Sequence, residues 1–409
     1  MAHATFHDKI GNVQGLDVRP GQTLRALLQA NGIPRNAVLT SVNGAVVTEE
    51  IGVIGPDDHV EIRQVRHYDL EITRQPPRRI FSAPAPVYTK SVMFDERGKL
   101  EVRSEQLDAF GFVEYVERTF VESITSAGLI EPGAEIMTGL SGGRDSVAFL
   151  KLLERTRAQL PAFTMVATTV TGTPDWEEPA TFHAAQLACE GLGIDQVLVT
   201  ADEIQATFNL DRPYIDVMNE VVTGESAMFN MVIAHHTLRR MVEIEAERRG
   251  VTTIALGFNA DDLVASMVTW FTTGFRMGPI PKRRVGPFTY LFPLFHITKK
   301  ELTLYLDLVA PELNQQGAPG RFTTGPAERS LAYAITDHLF DLWPGVDYYL
   351  FPALDNVQRS MMPAAEDECA VCGAAFLLQE GVDNPVAICD VCSFFARHKY
   401  TVRDSRFIR

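Results

Sequence analysis

Six consecutive residues, Ser141, Gly142, Gly143, Arg144, Asp145 and Ser146, carry the chemistry most readily read from this chain. They follow an apolar run ending at Met137. They precede a helical pattern that puts Val147, Leu150 and Leu153 on one face. Strand, glycine loop and helix start is the order that cradles phosphate. Gly139, Gly142 and Gly143 let the backbone approach an anion closely, and the helix start offers free N–H donors and a partial positive charge. The hydroxyls of Ser141 and Ser146 add donors. Asp145 falls where a first-turn carboxylate suits the helix, and it is able to hold Mg2+ beside the phosphates. The stretch is not a Walker loop, because no Gly-Lys-Ser/Thr follows the glycines. Residues 139–143 do match G-x-S-x-G, the nucleophile elbow of serine hydrolases, which would make Ser141 a nucleophile. A tight strand-to-helix turn without a ligand is the third reading.

Further constellations carry reactive side chains. Asn259, Asp261 and Asp262 follow the apolar run 253–256, where short polar groups reach a metal or a reacting oxygen. A helix N-cap ahead of Leu263 is the plainer use of the two aspartates. Cys369-x-x-Cys372 and Cys389-x-x-Cys392, with a spacer of sixteen, have zinc-ribbon spacing. Each pair forms a knuckle facing one tetrahedral ion, and four sulfurs fill that ion, so a Zn2+ there is structural. Cys189 sits on an apolar helix face and reads as an inert thiol. His235 and His236 lie about 100° apart on a helix, a poor pair for one metal, and read as solvated or core residues. Arg276, Lys282, Arg283 and Arg284 lie in a Gly/Pro-rich stretch, 274–290. It reads as a solvated basic loop, a lid, or a contact for an anionic substrate such as a tRNA backbone.

These groups need a frame. Residues 163–170 form a continuous apolar and β-branched run, as in a buried parallel strand. Helical patterns at 180–192 and 227–249 alternate with strand-like runs at 196–200 and 252–256. Repeated βα units predict an α/β fold, a doubly wound parallel sheet with helices on both faces. Ligands then sit beyond the carboxyl ends of the strands. That rule puts the Ser141 loop, the Thr168 end of its strand and the Gly257 loop at one rim. Helices are expected at 298–313 and 327–343. Residues 1–70 read as a β-rich module of order ββαββ, with a helix at 23–31 and an Asn43-Gly44 hairpin turn. Prolines 76, 77, 84 and 86 mark a linker, and 71–130 then holds a hairpin near 91–102 and a helix at 107–126.

The 409 residues are 46% hydrophobic and 22% charged, as in a globular protein with room for several domains. The net charge of −15 argues against a broadly basic nucleic-acid surface but leaves a local patch open. No signal-peptide pattern and no membrane-length apolar run are visible, and four of five cysteines are paired as C-x-x-C. A cytoplasmic, reducing setting without membrane contact is the expectation.

Residues 141–146, S-G-G-R-D-S, resemble the PP-loop of the ATP pyrophosphatases (adenine nucleotide alpha-hydrolase-like, of the HUP-like class). Gly257-Phe258-Asn259-Ala260-Asp261-Asp262 resembles the G-H-N-x-D-D motif of their tRNA 2-thiolation branch. Pro293-Leu294 with Thr298-Lys299-Lys300-Glu301 resembles its P-L…K-E segment. The resemblance implies a PP-loop domain over 131–345, a degenerate ribbon within 71–130 and a zinc ribbon at 360–409. The N-terminal 1–70 is similar to the ubiquitin-like β-grasp of small sulfur carriers, without their terminal Gly-Gly, and a docking or structural role is expected of it. The resemblance implies ATP bound by Gly139, Ser141, Gly142, Gly143, Arg144, Ser146, Thr168, Gly257 and Arg239. Catalysis would fall to Asp145, Asn259, Asp261 and Asp262, with Mg2+, and pyrophosphate would be released as a substrate oxygen is adenylated. The branch's cluster cysteines align with Met231, Ala234 and Gly325 and are absent. The nucleophile is therefore a sulfur donor or a nitrogen donor, and the acceptor a tRNA or a small molecule. A non-catalytic ATP-binding partner protein stays open, as does a homodimer.

Overall fold

The first sheet is built by residues 3–64. Strands β1 (His3–His7) and β2 (Val13–Leu16) form a hairpin, followed by helix α1 (Leu24–Ala30) and strands β3 (Val38–Val42), β4 (Ala45–Val47) and β5 (His59–Gln64). The order is β2-β1-β5-β3-β4, with β1 parallel to β5. Thr23 starts α1 by accepting from the Ala26 N–H at 2.7 Å. Leu24, Leu27 and Leu28 then pack on Ala4, Val38, Val60 and Ile62. Asn43 and Gly44 both take positive φ, as the hairpin turn requires. The computed structural model describes residues 2–19, 21–50, 52–66, 86–96, 99–173, 179–221, 227–273, 278–314, 327–361, 366–377 and 387–397. Arg276, the Gly325 position and prolines 76, 77 and 84 lie outside them.

A hairpin, β6 (Tyr88–Glu96) and β7 (Lys99–Leu107), stands in the cysteine-free stretch, and Asp108 caps the helix after it, α2 (Ala109–Ser126). Next come β8 (Ala134–Gly139), α3 (Arg144–Thr156), β9 (Phe163–Val170), α4 (Pro179–Leu192) and β10 (Asp195–Val199). Helices α5 (Ala201–Thr207), α6 (Tyr214–Val221) and α7 (Ala227–Arg249) lead to β11 (Thr253–Ala255) and α8 (Ala260–Thr273). Strands β12 (Lys282–Val285) and β13 (Phe288–Leu291) precede α9 (Lys299–Val309), α10 (Ala327–Leu342) and α11 (Asp347–Met361). The six-stranded sheet runs β10-β9-β8-β11-β13-β12, parallel except for β12. Phe112, Phe149, Leu150, Ala185 and Leu302 cover one face, and Val242, Val264 and Leu354 the other. This is a doubly wound sheet, as the alternation of elements implies.

Among the described residues of the basic stretch, 282–285 form a strand rather than a loop. Lys282, Arg283 and Arg284 lie on the edge strand β12, because it pairs with β13. The Arg283 guanidinium lies 4.9 Å from the Phe292 ring centroid, and burial beside Arg239 lowers its pKa to about 10.

The last unit has a short pair, β14 (Glu366–Glu368) and β15 (Ala375–Leu377), and helix α12 (Asp390–Arg397). It packs its cysteines with Phe394 and Phe395 against Phe208 and Met241. No helix among the described residues is long and apolar enough to cross a membrane.

The N-terminal sheet is fixed to the main domain by charge pairs, those of Lys300 and Arg66 buried and that of Arg63 partly exposed. Lys300, at the start of α9, binds Glu49 and donates to the Arg35 carbonyl at 2.9 Å. Arg66 lies 3.2 Å from Asp261 and 3.1 Å from Asp337, and Arg63 pairs with Asp307. Such contacts are costly to break singly, because the surviving charge is left in a dry interface.

Candidate nucleotide site

The loop between β8 and α3 is held open by its own small residues. Gly142 has φ of +72°, a left-handed conformation that a side chain would strain. Gly143 is the N-cap of α3 and no side chain caps it, which leaves helix-start N–H groups available. The Gly143 N–H donates to Ser141 Oγ at 3.2 Å, and Ser146 Oγ donates to the Gly143 carbonyl at 2.9 Å. Ser141 thus shapes the loop. Its hydrogen-bonded neighbours are loop groups, with Ser146 Oγ at 3.2 Å, and no histidine is among them, so the nucleophile-elbow reading lacks its base. Gly257 passes close behind: a Cβ there would stand 3.3 Å from Ser146 Cα. Gly139 packs near Val242 in the same way, its Cβ position 3.4 Å from that side chain.

Lys299, the first residue of α9, closes the site from the other side. Its ammonium binds Asp145 Oδ2 and its N–H donates to Asp261 Oδ2 at 2.6 Å. Lys299 lies in the 298–301 segment, and only the packing of α9 against α3 marks it as a site residue. Asp145 Oδ1, Arg144 Nε and Asn259 Nδ2 are buried without a protein hydrogen-bond partner. Buried polar groups are rarely left so, and three together at one rim mark a place built for a polar ligand.

The structure divides the Asn259–Asp262 group. Asn259 is the cap of α8, its Oδ1 accepting from the Asp262 N–H at 2.9 Å. Asp262 is half-buried. Burial alone would raise its carboxyl, but Lys299, Arg66, the Tyr333 hydroxyl at 2.7 Å and Arg329 outweigh that and hold it below the usual range. Asp261 does not face the rim. It is 0% exposed and accepts from Asn36 Nδ2 at 2.9 Å as well as from Lys299, beside Arg66. Burial raises its carboxyl, with Arg66 and the Lys299 N–H opposing. It is an anchor for the N-terminal sheet, because the ββαββ module brings Arg66 and Asn36 to it.

Two expected nucleotide contacts also lie elsewhere. The Thr168 hydroxyl points under the loop to Met137 Sδ at 2.8 Å, and only its carbonyl supports the loop, accepting from the Leu140 N–H at 2.8 Å. Arg239 donates to the Ala375 carbonyl at 3.0 Å, so it ties α7 to the cysteine unit.

The four paired cysteines converge, with all sulfurs within 4.8 Å of one another and Cys372 and Cys389 4.0 Å apart. A tetrahedral ion with Zn–S bonds of roughly 2.3 Å sets its sulfurs about 3.8 Å apart, so one such ion fits. An iron–sulfur cube spreads its ligands more widely. Neighbouring thiols, Cys369 foremost, hold the Cys372 thiol far below its ordinary range. His236 is neither solvated nor an idle core residue: its Nε2 lies 3.6 Å from both Cys372 and Cys389 sulfurs. His235, one residue earlier, faces the other way and stacks edge-on with Phe258 at 6.2 Å. It is surrounded yet open to solvent. Desolvation and Arg329 lower its pKa to about 4, so it is neutral.

A parallel doubly wound sheet with this loop at its rim defines a PP-loop protein. No family profile matches the chain. Its curated relatives include the tRNA-cytidine(32) 2-sulfurtransferases of Marinobacter nauticus, 25% identical over 69% of this chain and 86% of the relative, and of Neisseria gonorrhoeae, 28% identical over 60% and 72%. The U34-tRNA thiolase of Methanococcus maripaludis, solved with its [4Fe-4S] cluster, shares the fold at a TM-score of 0.53 and 21% identity, covering 72% of this chain and 90% of that one. These similarities support the tRNA 2-thiolation branch of the PP-loop proteins.

Proposed function

We propose that the chain is an ATP-dependent tRNA 2-sulfurtransferase. A base carbonyl oxygen attacks the α-phosphorus of ATP, pyrophosphate leaves, and the carbon carries an O–AMP group. A hydrosulfide-level sulfur then adds at that carbon, AMP departs with the oxygen, and the hydrosulfide proton passes to the ring nitrogen where adenylation had removed one (a uridine) and to solvent where it had not (a cytidine). Oxygen is a poor leaving group from an amide-like carbon, and AMP a good one. The observation that carries this reading is the set of buried groups without a partner, Arg144 Nε, Asp145 Oδ1 and Asn259 Nδ2, around an uncapped helix start.

The loop N–H groups and Arg144 bind the pyrophosphate portion, where negative charge grows as it leaves. Asp145 and Asp262 would hold the Mg2+ that travels with ATP and offsets that charge. Lys299 keeps Asp145 in place through its ion pair. The four cysteines hold Zn2+ structurally, with His236 donating toward their sulfurs. The relatives favour tRNA and sulfur over a small-molecule acceptor or a nitrogen donor, and a tRNA substrate implies the cytoplasm. With no cysteine at positions 231 and 234, sulfur comes from a free or carried donor rather than from a cluster there.

The test is to incubate the protein with ATP, Mg2+, sulfide and unmodified tRNA. Pyrophosphate is measured and digested nucleosides are weighed by mass spectrometry. Sulfur-for-oxygen exchange (about +16 Da) with one pyrophosphate per event is expected, and Asp145→Ala should lose both while staying folded. Unchanged pyrophosphate release by Asp145→Ala would remove the site from the reaction.

A further inference from the structure

The cysteine unit meets the main domain across one side of α7. His236, Arg239 and Arg240 are spaced i, i+3 and i+4 and so share that side. Arg240 Nε donates to the Cys372 carbonyl at 2.5 Å, and Arg239 Nη2 donates to the Ala375 carbonyl at 3.0 Å. His236 Nε2 lies 3.6 Å from the sulfurs of both Cys372 and Cys389. Gly373 lets the knuckle come this close: a Cβ there would stand 2.9 Å from Arg240 Nη2, and its φ of +72° favours glycine.

All four cysteines of the unit are buried. Four thiolates around one divalent ion keep a net negative charge, and a buried charge needs donors. The unit supplies one itself, the Cys389 N–H, which donates to Cys369 Sγ at 3.4 Å. Arg240 is committed elsewhere, to Glu247 at 2.7 Å and Glu243 at 3.4 Å as well as to the Cys372 carbonyl. His236 is the α7 side chain that reaches the sulfurs. A thiolate only accepts, so the ring nitrogen that faces it carries the hydrogen. Four sulfurs already fill a tetrahedral ion, which makes the imidazole a donor to the ligands and not a ligand. Phe208 packs edge-on to the His236 ring, centroids 6.1 Å apart, and fixes its orientation.

We infer that α7 completes the metal centre: His236 is a positioning residue whose Nε2–H holds the Cys372 and Cys389 thiolates, so the ribbon's metal affinity depends on a helix of the main domain. The C-terminal unit is thereby a metal-dependent clamp on α7, not a ribbon that folds around its ion alone. This rests on the reading of the four cysteines as a single-ion site. Partners of metal ligands typically set affinity by about tenfold to hundredfold. The coupling runs both ways, because an ion that binds best with α7 in contact stabilises that contact.

Competition for Zn2+ between the full chain and a chromophoric chelator decides it. His236→Ala should weaken Zn2+ about tenfold to hundredfold with an unchanged circular dichroism spectrum. His236→Gln, which keeps an N–H on a side chain of similar reach, should recover part of the loss. With Co2+ in place of Zn2+, the d–d bands of His236→Ala should match the wild type, since the four sulfurs remain the ligands, while the sulfur-to-metal charge-transfer band moves as two thiolates lose a donor. Removing the metal should speed hydrogen exchange over residues 236–244 of α7 and leave β3 as it was. Equal Zn2+ affinity in His236→Ala and the wild type would overturn the assignment, as would d–d bands altered by that substitution or α7 exchange indifferent to the metal. If the wild type binds no Zn2+, the single-ion reading falls and this inference with it. If the wild type binds Zn2+ and His236→Ala binds it as tightly, only the role of His236 falls.

Discussion

Replacing Asp261 with Asn separates an anchor from a catalyst. Its Oδ1 accepts from Asn36 Nδ2 at 2.9 Å and its Oδ2 from the Lys299 N–H at 2.6 Å, and Arg66 Nη2 lies 3.2 Å from Oδ1 as an ion-pair partner. An asparagine of the same shape has one oxygen. Whichever way it turns, an NH2 faces a donor, and Arg66, whose side chain is 7% exposed, keeps only Asp337. Breaking one half of a buried pair typically costs about 3–5 kcal/mol, because the remaining charge stays desolvated. Whole-protein stabilities are only about 5–15 kcal/mol. Asp261→Asn should therefore lower the urea midpoint clearly, with the β-grasp module released first and detected by hydrogen exchange across β5. Pyrophosphate release should fall only as the module detaches, and low temperature should restore part of it. Wild-type stability combined with abolished pyrophosphate release would refute the anchor and return Asp261 to the chemistry.

Three further perturbations follow from the same geometry. Asp337, in the same network, has its carboxyl raised from 3.8 to about 6 by burial, with Arg66 and Asn36 opposing. A folded-state pKa above the unfolded one means that folding takes up a proton. That contribution, about 3 kcal/mol, is complete below the unfolded pKa and is lost as pH rises through the folded one. Urea titrations from pH 4 to 7 should show the wild type losing stability relative to Asp337→Asn over that window, and parallel curves would contradict the shift. Gly257→Ala should weaken Mg-ATP about tenfold with little change in melting temperature, since its Cβ would stand 3.3 Å from Ser146 Cα and push the two loops apart. Chelation should remove one zinc per chain and lower the melting temperature while Mg-ATP affinity holds. Iron in elemental analysis would overturn the single-ion reading of the cysteines.

Much of the frame was legible because it is local. Periodicity marks β9 at residues 163–170 and α7 at 227–249, and C-x-x-C spacing brings four sulfurs together. Residues 282–285 were read as loop because their charges outweigh their strand signal, yet β13 recruits them as an edge and aromatic rings cover Arg283. His236 was misread for a related reason. Helix geometry says that neighbours diverge, which is true, but it does not say that a separate unit will arrive on one side only. Thr168 and Arg239 were placed by the rim rule and by alignment, which locate a backbone and not the direction of a side chain.

The residues missed or misassigned at the rim share one cause. Lys299 binds Asp145 across 154 positions of sequence, where α9 packs on α3, and Arg66 reaches Asp261 across 195, where the N-terminal sheet docks. A motif read along the chain treats Asp261 and Asp262 as equals. Packing makes one a dry counter-ion for a neighbouring module and leaves the other half-open beside the loop. Arg66→Met should therefore destabilise the protein as Asp261→Asn does, because it leaves Asp261 and Asp337 buried without their shared cation. An unchanged urea midpoint in Arg66→Met would show that the module is held by other contacts.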